Sequence, residues 1–206
     1  MRALWPLLLT ITCCTASESV DFSVLFDCGR RDYDIDYTLD DGRSFHWAGT
    51  WPTQARLLIE TVVWSGDDLV AWGMGLDAGF DWAHAPDDDL LHFALDAQGA
   101  LHLGLRPHRR VGLIGSARLG MGVFGLDLPD ELDGVVESDD VDRSVYNARW
   151  TVGGDVRLRL GLHRELHLDL LAGWRGSWET RGVVGSYDLD VIQHGPVFAV
   201  GFGGRF

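Results

Sequence analysis

The side chains that could do chemistry in this chain are few and scattered. His92 and His102 stand ten positions apart in one alternating run. At the rise of an extended strand that is about 30 Å, too far to share a metal ion. His167 and Asp169 are next neighbours on one face of another run, with Ser116 elsewhere in the chain. Ser177, Glu179 and His194 have the types of a nucleophile, an orienting acid and a base, but no local motif of a lipid deacylase or palmitoyltransferase surrounds them. Asp87, Asp88 and Asp89 could offer carboxylate oxygens to a divalent cation, and such a run also serves simply as a solvated loop. The expectation is that no residue is catalytic and none binds a cofactor or metal, and that the buried polar groups form a structural core.

The elements that must position these groups are strands. From Val70 to Trp82 every even position is apolar (Val70, Trp72, Met74, Leu76, Ala78, Phe80, Trp82). The odd positions are small or charged (Ala71, Gly73, Gly75, Asp77, Gly79, Asp81). A period of two makes this a strand with two unlike faces. It is also long, since strands in soluble proteins usually run about 5–6 residues, whereas a tilted strand crossing a bilayer needs about 9–11.

The same pattern recurs along the chain. Strands are expected at 19–28, 55–64, 69–82, 90–106, 111–125, 144–162, 165–175 and 196–206. Arg30 to Gln54 is a long connection with a weaker alternation (Tyr33, Ile35, Tyr37, Leu39), readable as a hairpin arm. The short connections are Ser65–Asp68, Pro107–Arg110 and His163–Arg164. The longer ones are Arg30–Gln54, His84–Asp89, Asp127–Arg143 and Ser177–Gly195, and the two kinds alternate. No apolar-face position in the eight strands carries Asp, Glu, Lys, Arg or His, although 23% of the chain is charged. In a soluble barrel or sandwich that clean face would be the core, with Asp77, Arg118, Arg157 and Arg159 in water. The strict loop alternation favours the opposite arrangement, with the clean face in lipid.

The other face then points inward. By parity it holds the acids Asp21, Asp27, Glu60, Asp77, Asp81, Asp96, Asp155, Glu165 and Asp169. The bases there are Arg56, Arg106, Arg118, Arg149, Arg157, Arg159, Arg175 and Arg205. The near balance predicts a plug of ion pairs, because an ion-selective pore would show one dominant sign.

The 206 residues suffice for one small barrel, and no apolar run is long enough for a transmembrane helix. A net charge of −14 excludes nucleic acid as a partner. Residues 1–17 read as a secretory signal: Arg2, then the apolar Leu4–Ile11, then small residues around Ala16. That leaves 18–206 as the barrel domain, with Cys28 its sole cysteine and hence no internal disulfide. The chain ends in Gly201-Phe202-Gly203-Gly204-Arg205-Phe206. Gly201 and Phe206 match the terminal signature of bacterial outer-membrane barrels, while Ala199 and Gly204 depart from it.

On these features the chain resembles the small eight-stranded outer-membrane barrels of the outer-membrane protein A and X type. The resemblance implies an all-β, antiparallel up-and-down transmembrane barrel in a Gram-negative-type outer membrane, with both termini in the periplasm. It also implies recognition of the last strand, ending at Phe206, by the barrel-assembly machinery. The surroundings would be outer-membrane lipid and lipopolysaccharide, and the barrel is expected as a monomer with a structural or surface-interaction role. The alternatives are an enzyme modifying outer-leaflet lipid by deacylation or acyl transfer, a narrow pore, and a soluble ligand-binding barrel. The acidic loop Asp127–Asp142 should face outward, where divalent cations could bridge its carboxylates to lipid phosphates.

Overall fold

In the computed structural model, residues 19–39, 42–66, 69–85, 87, 90–108, 110–129, 144–163, 165–179 and 187–205 are described. The N-terminal segment read as a signal, most of the acidic loop and Phe206 lie outside them. Ten strands form: β1 (Ser19–Asp27), β2 (Asp32–Leu39), β3 (Ser44–Thr50), β4 (Thr53–Gly66), β5 (Val70–Ala85), β6 (Leu90–His108), β7 (Val111–Asp127), β8 (Ser144–Gly161), β9 (Leu166–Glu179) and β10 (Tyr187–Arg205).

All pairings are antiparallel. The order β1-β4-β5-β6-β7-β8-β9-β10 closes on itself through β1 against β10. This is the eight-stranded up-and-down barrel that the alternation predicts. β2 and β3 are upward continuations of the first two staves. β2 pairs with the first half of β10 from Tyr187↔Leu39 to His194↔Asp32, and β3 pairs with β2. The expected hairpin arm within Arg30–Gln54 is therefore a two-stranded extension standing on the rim. At the break between β1 and β2 the backbones of two strands meet closely. A Cβ on Gly29 would strike the carbonyl oxygen of Pro196, and one on Gly195 that of Arg30.

Two expectations about connections are corrected. Ser177–Gly195 is not a loop: β9 runs on to Glu179 and β10 begins at Tyr187. His84–Asp89 is not a long loop either, since β5 reaches Ala85 and β6 starts at Leu90. The cause is the same in both places. Near this end the strands keep their parity but exchange the character of their faces. On β1 the outward side chains are Val20, Phe22 and Phe26; on β2 they are Asp32, Asp34 and Asp36. Inward, Asp21 and Asp27 of β1 give way to Tyr33, Ile35 and Tyr37 of β2, all buried. Higher on β10, Leu189 and Val191 point inward and Asp190 outward. A search for apolar-outward alternation ends where that inversion begins.

Below the inversion, β5 alternates exposed and buried without a break from Val70 to Trp82. The exposed set includes Leu76, Leu101, Leu119 and Phe202, all between 58% and 63% exposed. Trp82 lies opposite Phe93, and the Phe93 ring meets Tyr146 edge-on at 5.8 Å. Trp150 pairs across the ladder with Trp178. These aromatics form a girdle just below the inversion, the position aromatic residues take at a membrane–water boundary.

One substitution pair tests the assignment of faces. Leu76→Arg places a guanidinium on the apolar belt and should lower stability in a bilayer by about 2–4 kcal/mol. Asp77→Asn points inward, where its partner Arg118 keeps Glu60 and Asp155, and should shift the urea midpoint far less. Equal effects on reconstituted protein would contradict the assignment.

Candidate functional site

The interior is built from arginines and carboxylates projecting from alternate positions of facing strands. Near the end of the barrel with the short turns, Arg159 reaches Asp169 through Nε and Nη2, both at 2.9 Å, and also contacts Asp21. Arg205 donates to the other Asp21 oxygen at 3.0 Å. In the middle, Arg157 forks onto Glu60 at 2.5 and 2.8 Å. Arg118 donates to the same Glu60 at 2.6 Å and to Asp77 at 2.8 Å, and contacts Asp155 as well. Higher up, Arg56 bonds Asp81 at 2.6 Å and Asp96 at 2.8 Å, with Arg149 against the same two acids. Arg31 then joins Asp27 to Asp81, at 3.3 and 3.2 Å. Glu60 and Asp169 are fully buried.

The expected plug of ion pairs is thus present, with three changes of membership. Glu165 is exposed in the β8–β9 turn, while Arg31 and Glu179 point inward. Arg31 was not counted because it lies in Arg30–Gln54, read as a connection, although the odd inward parity of β1 runs on through it to β2. Glu179 lay beyond the expected end of its strand. Bulk fits because glycines stand opposite the long side chains. A Cβ on Gly79 would overlap the Arg56 guanidinium and Asp96, one on Gly120 would overlap Gln98, and one on Gly203 would overlap His167 and Ser23. A cavity of only about 10 Å³ lies beside Arg118, Asp155 and Arg175.

Above the charges, His92 lies between Trp51 and Phe124, with ring centroids at 5.9 and 6.0 Å. Its Nε2 is 3.6 Å from Glu179, too far for a hydrogen bond. Tyr33, Ile35, Tyr37, Leu90, Leu126, Leu189 and Val191 then close the mouth as a buried apolar cluster. The interior therefore carries charges along most of its length, with smaller apolar clusters set among them (Leu25, Leu58 and Leu171; Val62, Trp64 and Ile114), and is apolar at the end bearing the hairpin. The sequence reading missed this cap, although the Tyr33, Ile35, Tyr37 alternation was its signal.

The candidate chemical residues do not converge. Ser177 and Glu179 point into the barrel, whereas His194 is exposed on the outer surface and stacks on Trp174 at 6.3 Å. His102 hydrogen-bonds Ser116 at 2.9 Å, and His167 contacts Ser23 at 3.2 Å, all inside the wall. His92 and His102 lie ten positions apart on β6. Of the three adjacent aspartates only Asp87 is described, and it is exposed. Among the described residues, one group has three metal-competent side chains with ligand atoms within 4.8 Å of each other: Asp34, Asp36 and His46, all exposed on the outer face of the hairpin. His46 Nδ1 already bonds Asp36 at 2.8 Å. Asp190 faces Asp36 directly across the ladder, so this face is strongly acidic.

No protein-family model matches the chain. No curated protein matches it either. Solved structures similar to it include Ail, the attachment invasion locus protein of Yersinia pestis, at 11% identity and a TM-score of 0.45, covering 91% of this chain and 98% of that one. Neisserial surface protein A is similar at 14% identity and a TM-score of 0.44, covering 90% and 97%. The outer membrane protein OprG of Pseudomonas aeruginosa is similar at 14% and 0.45, covering 93% and 96%.

The ion-pair network makes an asymmetric prediction. Arg157→Ala strips Glu60 of its bidentate partner and should cost about 3–5 kcal/mol in urea unfolding, because a buried charge loses its compensation. The double variant Arg157→Met, Glu60→Leu should recover much of that loss. An unchanged midpoint in Arg157→Ala would show that the pair contributes nothing.

Proposed function

We propose that this chain is an integral outer-membrane barrel, closed to solutes, whose function is surface contact made by its acidic hairpin end. The observation that carries the reading is the belt of exposed apolar side chains around all eight staves, joined to an interior that holds the charges. A soluble protein gains nothing by exposing Leu76, Leu101 and Phe202 to water. In a bilayer the same side chains face hydrocarbon, and closure of the sheet leaves no backbone edge unpaired in lipid. The final strand offers the assembly machinery its docking element, and lipid with lipopolysaccharide surrounds the belt.

Closure to solutes follows from two barriers in series, the cross-linked guanidiniums and carboxylates and the apolar cap above them. Surface contact follows from the hairpin, which lifts Asp32, Asp34 and Asp36 clear of the girdle on a rigid ladder. The splitting of Ser177 and Glu179 from His194 removes the support for a lipid-modifying enzyme.

Cysteine labelling on whole cells tests the topology. In a Cys28→Ser background, Asp34→Cys should react with a membrane-impermeant maleimide on intact cells. Arg110→Cys should react only after the outer membrane is opened. The reverse pattern would overturn the orientation, and full solubility of the purified protein without detergent would overturn the membrane reading itself. Purified barrel in planar bilayers should give no current steps; regular steps would overturn closure.

A further inference from the structure

The end of the barrel opposite the hairpin holds a cavity of about 100 Å³, room for about three water molecules or one tetrahedral oxyanion. It is formed where the β6–β7 turn, the β8–β9 turn and the end of β10 come together. Arg106, Arg110, Arg159 and Arg205 line it, with His163 beside them and Glu165 as the single acid. In a chain of net charge −14 this concentration of guanidinium groups is the reverse of the average. The chain has no lysine at all, so every fixed cation here is a planar fork suited to two oxygens at once.

The four arginines are not equally committed. Arg159 and Arg205 already serve Asp21, and Arg159 also serves Asp169. They form a fixed basic floor. Arg106 stands with its guanidinium carbon 5.7 Å from the centre of the Trp64 ring, a stacking that holds it in place. Arg110 has no carboxylate partner among the described residues. Its backbone is nevertheless anchored, since its N–H donates to His108 Nδ1 at 3.2 Å and its carbonyl accepts from Gly161 at 2.8 Å. A guanidinium on an anchored backbone, with no carboxylate partner among the described residues, at the mouth of a basic cavity favours an anion with several acceptor oxygens.

We propose that this cavity is a binding site for a phosphate group, carried either by a phospholipid headgroup or by a soluble phosphate ester, with the stacked Arg106 as a fixed wall and Arg110 as its adjustable clamp. The proposal rests on the cavity alone, so its failure in micelles would leave the membrane topology untouched.

The test uses the full folded barrel in non-ionic maltoside micelles, titrated with inorganic phosphate against chloride at matched ionic strength. Arginine side-chain Nε–Hε resonances are followed by NMR. Saturable shifts are expected at Arg106 and Arg110, with affinity falling about tenfold in Arg110→Ser, as for loss of a charge-assisted hydrogen bond. Arg43→Ser, on the hairpin at the far end, should leave affinity unchanged. Arg110→Lys keeps the charge without the fork; it should weaken binding less and serves as the variant if Arg110→Ser does not fold. Shifts that never saturate, or that respond equally to Arg43→Ser, would overturn the site. Repeating the titration in phosphatidylglycerol nanodiscs separates the sources. Resonances already at their bound positions and deaf to added phosphate identify the headgroup; resonances that titrate as in micelles identify a soluble ester.

Discussion

The fold depends on the pairing of guanidinium groups with carboxylates inside a narrow barrel. Eight staves enclose a space that side chains must fill. Here the filling is charged, so every arginine that enters needs acids at hydrogen-bond distance and a facing residue small enough to admit it. Arg118 meets both needs with Glu60, Asp77 and Asp155, and Arg56 with Asp81, Asp96 and the missing side chain of Gly79. Glycine content and arginine content are two sides of one packing solution. Because several of the pairs join strands far apart in sequence, the network also selects the register. Arg157 to Glu60 joins β8 to β4, and Arg159 to Asp21 joins β8 to β1. A slip of one residue on any of these strands would turn its charges into the apolar surroundings.

The second constraint is the exchange of faces along continuous strands. The parity of side chains never changes between β1 and β2, yet what is apolar outside becomes acidic outside. The two regimes meet at the girdle of Trp82, Phe93, Tyr146 and Trp178. Below it the inside is charged and the outside apolar; above it the hairpin is patterned like a soluble sheet, with Ile35 and Val191 buried and Asp36 and Asp190 in water. The apolar cluster under the hairpin therefore caps the charged interior and removes the last wet opening at that end. The charge of the ends differs as well, with aspartates on the hairpin and arginines around the opposite cavity.

The sequence made the staves legible because the strands are long and keep one face apolar and the other small or charged along most of their length. The alternation of β5 and the ion-pairing of Arg118 and Arg157 were readable from parity alone. Three things were not. The upper part of β10 was hidden because its apolar residues, Leu189 and Val191, sit on the opposite face from Phe198 and Val200. Arg31 was hidden because it fell in the stretch read as a connection, although the parity of β1 carries through it. The basic cavity was hidden because its arginines come from β6, the β6–β7 turn, β8 and β10, and only the pairing of β8, β9 and β10 brings Arg205 beside Arg159. The candidate triad failed for a simpler reason, since Ser177 and His194 have opposite orientations on neighbouring strands.

The central claim is that one set of strand positions faces lipid below the girdle and water above it. Spin-label scanning of the reconstituted protein measures this directly. Labels would be placed singly at each position of Val70–Trp82 and Asp32–Tyr37, and their relaxation compared with dissolved oxygen and with a water-soluble nickel complex. The account predicts that even positions of Val70–Trp82 favour oxygen, that even positions of Asp32–Asp36 favour nickel, and that odd positions of both are shielded. Nickel access at the even positions of Val70–Trp82, or shielding there with exposure of the odd ones, would contradict it.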